Sequence, residues 1–260
     1  VLLGSLCVLI AVGVPVAYAL GMSALIGAFW IDLPLDAVII QIASGVNKFS
    51  LLAIPFFVLA GAIMAEGGLA HRLVAFAAVF VGFIRGGLSL VNILASTFFG
   101  AISGSSVADT ASVGSVLIPE MEKQGYPRAF ATAVTVAGSV QAILIPPSHN
   151  AVIYSLAAGG SVSIASLFLA GVVPGLLLGF TVAMLCLYTA HKKNYPKGEV
   201  IPLRQAVKIA AEAVWALLTI VIILGGILSG VFTATESAAV ACLWAFFVTM
   251  FIYRDYKWRD

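Results

Sequence analysis

Two short stretches of this sequence hold the residues best suited to chemistry. Ser103-Gly104-Ser105-Ser106-Val107-Ala108-Asp109 crowds three hydroxyls, a glycine and one carboxylate between two apolar arms. Ile145-Pro146-Pro147-Ser148-His149-Asn150 interrupts a second apolar run with two prolines, a hydroxyl, an imidazole and an amide. Successive prolines remove two backbone donors and forbid a regular helix, so carbonyls upstream are left without partners. Hydroxyls and free carbonyls, with at most one carboxylate, are the ligands a hard monovalent cation such as Na⁺ takes at interrupted helices. Ser103, Gly104, Ser105, Ser106, Ile145, Pro146 and Ser148 are therefore the expected sodium ligands, provided the two stretches meet. Helix N-termini restarting there attract a carboxylate, which places Asp109, His149 and Asn150 on the expected substrate path.

Blander readings of the same residues stay open at this point. The three serines suit helix packing, Asp109 suits an N-cap for a helix from Thr110, and the proline pair suits a simple kink. His149 also reads as a neutral, hydrogen-bonded histidine. Asn92 and Gln141 read as interhelical glue, and Glu236, following Thr233-Ala234-Thr235, reads as a cap near a turn. Catalysis is a poor fit. Ser106 with His149 imitates an intramembrane serine protease, but Gly104-Ser105-Ser106 is followed by Val107 and not by glycine. A membrane aspartate pair and a His-Glu-x-x-His zinc motif are both missing. The chain is not expected to be an enzyme.

The elements that must position these residues are set by composition. Of 260 residues 62% are hydrophobic and only 9% charged, with mean hydropathy +1.14. Soluble domains carry roughly 25% charged residues. Long apolar runs without period-two alternation point to membrane helices and exclude a barrel. The expected class is an all-α polytopic membrane protein. His191, Lys192, Lys193, Lys197, Arg204 and Lys208 gather in one segment, and Arg254, Lys257 and Arg259 at the end. Both clusters read as cytoplasmic and bracket 213–253, which is long enough for two passes. Tyr188, Tyr195 and Tyr253 stand at the expected interfaces. Cys7, Cys186 and Cys242 are far apart in apolar runs and read as small buried hydrophobes. No leading basic region marks a signal peptide, and the absence of an initial Met suggests a missing or processed N-terminus.

Along the chain, 1–31 reads as one span, 32–50 as a mixed loop, and 51–65 and 69–84 as two apolar stretches joined at Glu66-Gly67-Gly68. Residues 86–126 form two half-length arms with basic ends, Arg85 and Lys123, around the Gly/Ser tip. That pattern predicts a re-entrant hairpin, whose irregular backbone survives at membrane depth only when buried in protein or lining a cavity. Residues 128–144 and 151–158 form a helix broken by the prolines. Residues 164–188 form a full span, with Gly171, Gly175 and Gly179 making a close-packing face. Residues 202–214 suit an amphipathic surface helix. The expected parts are 1–85 as scaffold-like spans and 86–190 as the hairpin, broken helix and following span. The remainder, 191–260, holds a basic loop, an amphipathic arm and two spans of a second half.

Phe99-Gly100-Ala101-Ile102 with the Ser103–Asp109 tip resembles the hairpin signature of the large membrane subunit of tripartite ATP-independent periplasmic (TRAP) transporters. Leu52-Ala53-Ile54-Pro55-Phe56-Phe57, the Pro146-Pro147-Ser148 break with Val152-Ile153-Tyr154, Leu169-Ala170-Gly171 with Pro174-Gly175, and 233–238 resemble it too, in order along nearly the whole chain. The resemblance implies an inverted-repeat, elevator-type, sodium-driven importer of carboxylates such as dicarboxylates or sialic acids in the bacterial inner membrane. It also implies a small four-helix membrane subunit, a periplasmic substrate-binding protein, and a longer chain with a second hairpin and second broken helix. One departure stands out: where family members usually carry an apolar pair after Pro-Pro-Ser, this chain has His149-Asn150. A non-transporting scaffold subunit and a passive channel are the competing readings. Helices broken in mid-membrane argue against both.

Overall fold

The computed structural model describes residues 1–254, so Lys257 and Arg259 of the terminal basic cluster lie outside the described residues. Among the described residues the regular structure is helical: twelve α-helices, with short 3₁₀ and π turns. Four helical stretches are long and apolar enough to cross a membrane: Phe49–Glu66, Ile164–Lys192, Leu203–Leu228 and Ala234–Tyr253. The chain is an all-α polytopic membrane protein. It divides into two compact units, Val1–Phe49 and Ser50–Asp260.

The first unit differs from the single span expected over 1–31. Helices α1 (Leu2–Ala11) and α2 (Val16–Trp30) fold back on one another, and a Cβ on Gly27 near the end of α2 would lie 3.2 Å from Leu2 at the start of α1. The reason is local. Gly13 has φ +90°, and Pro15 is the N-cap of α2, so no continuous hydrogen-bond ladder can pass through this turn. The expected loop at 32–50 is also partly helical. Helix α3, Leu35–Val46, starts after Pro34 and carries Asp36 in its first turn, where a carboxylate complements the helix dipole.

In the second unit α4 (Ala53–Glu66) and α5 (Leu69–Val81) are joined through Gly68 at φ +66°. Helices α6 (Gly87–Ser103) and α7 (Ser106–Lys123) form a helical hairpin. Thirteen of the seventeen α6 residues are buried, which makes α6 the axis of this unit. Val91, Ala95, Phe99 and Ile102 pack there with Met64 of α4, Leu73 of α5 and Leu117 of α7. The base of the hairpin is held by one loop. Arg85 Nη1 donates to Asn194 Oδ1 (2.6 Å), and Gly86 N donates to the Pro196 carbonyl (3.0 Å). Beyond the other arm, the Tyr126 ring lies 4.4 Å from that of Tyr195. Both ends of the hairpin therefore meet residues 194–196.

Helix α8 (Arg128–Val140) passes into a 3₁₀ turn, and the chain restarts as α9 (His149–Ala157). Helix α10 (Ile164–Lys192) supplies the expected glycine face, and its neighbour is the interrupted segment after α8. A Cβ on Gly175 would come within 2.8 Å of Ile145, and one on Gly171 or Gly179 would collide with the Leu144 carbonyl or the Gln141 amide. The amphipathic arm expected to end near 214 is instead the first part of one continuous helix, α11 (Leu203–Leu228). No proline or glycine stands between Leu203 and Leu224 to break it. Helix α12 (Ala234–Phe247) opens with the capping box of Thr233 and Glu236, as read for Glu236. It packs its small residues Ala238, Ala241 and Ala245 inward, all without exposed surface.

The glycine face gives a direct test. Gly171→Ala should lower stability by about 1–3 kcal/mol through overpacking against the Leu144 carbonyl. Gly225→Ala in α11, where nothing lies within 4 Å, should be neutral or stabilising by about 0.4–1 kcal/mol. Thermal unfolding in detergent compares the two. Equal melting shifts would mean that α10 does not touch the interruption.

Candidate functional site

The hairpin tip is tighter than the seven residues 103–109 suggest. Gly104 ends α6 in the left-handed region, at φ +60°, a conformation that costs glycine little. Its N–H donates to the Gly100 carbonyl (2.8 Å). Ser105 is extended and becomes the N-cap of α7, its hydroxyl accepting from Ala108 N at 3.4 Å. The Ser103 hydroxyl accepts from Ser105 N at 3.4 Å. Only Gly104 and Ser105 lie outside the helices. Val107, Ala108 and Asp109 are helical, so the cap suggested for Asp109 is Ser105.

The break has the same construction. Ile145 N donates to the Gln141 carbonyl (2.9 Å), the Pro146–Pro147 peptide is cis, and both prolines are buried. Ser148 is extended and caps α9, accepting from Ala151 N at 3.4 Å, while its own hydroxyl donates back to the Ile143 carbonyl at 2.5 Å. That last bond closes the gap between the two helix ends with a side chain.

Tip and break touch. A Cβ added to Gly104 would run into the Pro147 carbonyl oxygen and stand 3.4 Å from Ser148 Cα. One turn back, a Cβ on Gly100 would meet Ala142 Cβ and Cα, the latter at 2.7 Å. Helix α4 closes the site from another side, since a Cβ on Gly61 would lie 2.9 Å from Ser103 Cβ. The structure thus brings together two helix carboxyl ends, at Ser103–Gly104 and at Ile143–Ile145, and two serine-capped amino ends, at Ser105 and Ser148. Carboxyl ends carry partial negative charge and amino ends partial positive charge. One small volume can therefore favour a cation at the first pair and an anion at the second.

The remaining expected residues divide. Ser106 is the first residue of α7 and half-buried; its carbonyl accepts from Thr110 Oγ1 (2.8 Å), which also donates to Ser139 Oγ (2.7 Å). His149, half-buried, faces Phe57 of α4 with ring centroids 6.3 Å apart, and Asn150 beside it is exposed. Asp109 goes elsewhere. It has no exposed surface and sits inside the hairpin beside the Ser96 hydroxyl. It lies on α7 four residues past the cap, about 6 Å further along the helix axis, which carries it from the tip to the level of Ser96 on α6.

Sequence reasoning missed several supports. Gln141 Nε2 donates to the Ile93 carbonyl (2.7 Å) and to Thr97 Oγ1 (2.8 Å), tying the start of the break to α6. Asn92 Nδ2 donates to Thr135 Oγ1 (2.7 Å), tying α6 to α8. Both were expected as glue, but their partners were not legible. Gly61 and Gly100 carried no signal beyond being small, and only the close approach of Ser103 and Ala142 shows their use.

Residues 3–260 match the family described as the tripartite ATP-independent periplasmic transporter, DctM component. The chain belongs to this DctM family. It is 40% identical over 273 residues to the C4-dicarboxylate TRAP transporter large permease protein DctM of Rhodobacter capsulatus, covering 100% of this chain and 62% of the relative. It is 40% identical over 256 residues to the 2,3-diketo-L-gulonate TRAP transporter large permease protein YiaN of Escherichia coli, covering 98% and 60%. It is 41% identical over 213 residues to the sialic acid TRAP transporter large permease protein SiaM of Vibrio cholerae, covering 82% and 49%. The chain thus spans about three-fifths of the length of the first two relatives. As a member of this family it is a multi-pass protein of the bacterial inner membrane and a transporter component, not an enzyme.

The contact between tip and break makes a prediction of its own. Gly104→Ala forces a side chain both into a left-handed backbone and against Pro147, and should cost roughly 1–3 kcal/mol for each of the two effects. Gly125→Ala is the control, because Gly125 also has positive φ (+86°) but nothing within 4 Å. A clearly larger loss of melting temperature at Gly104 is expected; matching losses would show that the backbone conformation alone matters.

Proposed function

We propose that this chain forms the first part of the membrane pathway of a sodium-coupled importer of organic acid anions. The observation that carries the reading is the meeting of two helix interruptions at Gly104 and Pro147. Half-helices that end at one point are how secondary transporters hold a coupling ion and an anionic substrate together. The sodium ligands proposed are the hydroxyls of Ser103, Ser106 and Ser148 and backbone oxygens of Gly104, Ser105, Ile145 and Pro146. Each is a neutral oxygen donor of the kind Na⁺ takes. The hairpin α6–α7 is proposed to re-enter the membrane, because both its ends meet the same loop at 194–196 and its middle is buried in protein.

Substrate contact is assigned to His149 and Asn150 at the amino end of α9. There the helix dipole favours a carboxylate, an imidazole donates one or two hydrogen bonds, and an amide donates two. Asp109, sealed in the hairpin, is not assigned to the substrate. The names of the relatives, which refer to dicarboxylates, diketogulonate and sialic acid, support a carboxylate as the transported class. Membership of a tripartite family supports two partners, a small four-helix membrane subunit and a periplasmic protein that delivers the substrate. No cofactor other than the coupling ion is invoked.

Two measurements in the assembled transporter test this. Ser106→Ala, and Ser103→Ala with Ser148→Ala, should raise the Na⁺ concentration needed for half-maximal uptake. Loss of one hydroxyl ligand is expected to cost about 1.5–3 kcal/mol, roughly ten- to 150-fold in affinity, the range for hydrogen bonds to charged groups. An unshifted Na⁺ dependence across all three positions refutes the ion site. Replacing His149 and Asn150 by leucine and valine should change the order in which organic acids compete for uptake while the Na⁺ dependence persists. If the order holds and only protein yield falls, the pair is structural.

A further inference from the structure

The start of α11 has an outer face that no protein group covers among the described residues. Val200, Leu203 and Val207 are 75%, 82% and 62% exposed. Leu203 and Val207 are four residues apart and so stand in one row on the helix. Arg204 and Lys208, both exposed, form the adjoining row with the same spacing. The opposite face packs inward through Ala206 and Ile209, both half-buried, and through Ala213 and Ala216, which have no exposed surface. Lys192, Lys193 and Lys197 are exposed in the preceding segment. Residues 191–212 hold five Lys and Arg against two Glu, Glu199 and Glu212, so the surface stays cationic with its acidic groups included.

An apolar row edged by basic residues suits the end of a membrane helix where it passes from acyl chains into headgroups. Depth along α11 agrees. Trp215 lies seven residues beyond Lys208, about 10 Å at helical rise, and is part-exposed beside Val214. An indole just below the headgroup level, with Lys208 and Arg204 among the phosphates, uses both residue types as membrane interfaces do. Clusters of four to eight basic residues beside a membrane helix attract anionic lipid, and a neutral zwitterionic headgroup offers no net charge for this surplus.

We infer that the outer face of residues 197–208 is a docking surface for anionic phospholipid headgroups. The same segment bears on the hairpin. Asn194, Tyr195 and Pro196, which grip Arg85, Tyr126 and Gly86, precede Lys197 directly. Headgroups held at Lys197, Arg204 and Lys208 steady the loop that closes the base of α6–α7.

The test reads contact and not transport, so it is independent of the sodium and substrate assignments. In the assembled transporter Cys7 is replaced by serine, and Val207→Cys carries a fluorophore. The protein is reconstituted in phosphatidylcholine vesicles containing a minority of phosphatidylglycerol, with bromine placed on one lipid or the other. Brominated phosphatidylglycerol should quench beyond its share of the lipid. Each of Arg204→Gln and Lys208→Gln should reduce that preference roughly fivefold, and inorganic phosphate should leave it unchanged. Equal quenching by the two lipids would overturn the inference in favour of an ordinary interfacial helix. Absence of quenching by either would mean that protein covers this face, and competition by phosphate would point to a soluble anion; both also overturn it.

Discussion

A bilayer supplies no water to satisfy a broken backbone, so every interruption of a helix at depth must be closed by protein. With the hairpin re-entering the membrane as proposed, the second unit of this chain answers that constraint. It has two interruptions, and each closes itself partly with serine. Ser105 caps α7, and Ser148 caps α9 while reaching back to the Ile143 carbonyl. What remains is closed by pressing the two together at Gly104 and Pro147. The glycines of α10 and Gly61 of α4 answer the same requirement, since a broken segment has to be approached closely from all sides. A bulkier residue at any of these positions would open a gap in the enclosure.

Much of this was legible in the sequence because the signals are local and strong. Pro146-Pro147 cannot be helical, Gly104 between serines marks a reversal, and the spacing of Gly171, Gly175 and Gly179 marks a face. The family resemblance rested on the same residues, and residues 3–260 match that family. Other features stayed hidden for physical reasons. Hydrophobicity along 1–31 is nearly continuous, so Gly13 and Pro15 had to outweigh it, and they read as ordinary punctuation within a span. The polar residues of 32–50 suggested a loop, although Leu35, Val38, Ile39 and Ile42 already held helical spacing. The extent of the tip was overestimated because Val107–Asp109 are compatible with either a turn or the first turn of a helix.

The fate of Asp109 shows where sequence reasoning about a site runs out. A carboxylate next to a Gly/Ser tip looks like a ligand, yet the rise of one helical turn is enough to carry it from the tip into the hairpin interior. His149 and Asn150 come immediately after their cap and have no such freedom, so their location is set by the proline break alone. Distance along the chain from a cap decides how closely sequence fixes a polar residue to its helix end.

The loop at residues 194–196 has a consequence for biogenesis. During synthesis α6 and α7 leave the ribosome well before Asn194, Tyr195 and Pro196, yet those three residues close both ends of the hairpin. Until the long helix α10 has been inserted, the hairpin has no fixed base, and its buried Asn92 depends on α8 for a partner, while Gln141 of the break depends in turn on α6. Quality control in the membrane therefore has a defined window, from the emergence of α6 to the emergence of Tyr195, in which a stalled or slowed chain presents an unlatched polar hairpin to chaperones and proteases.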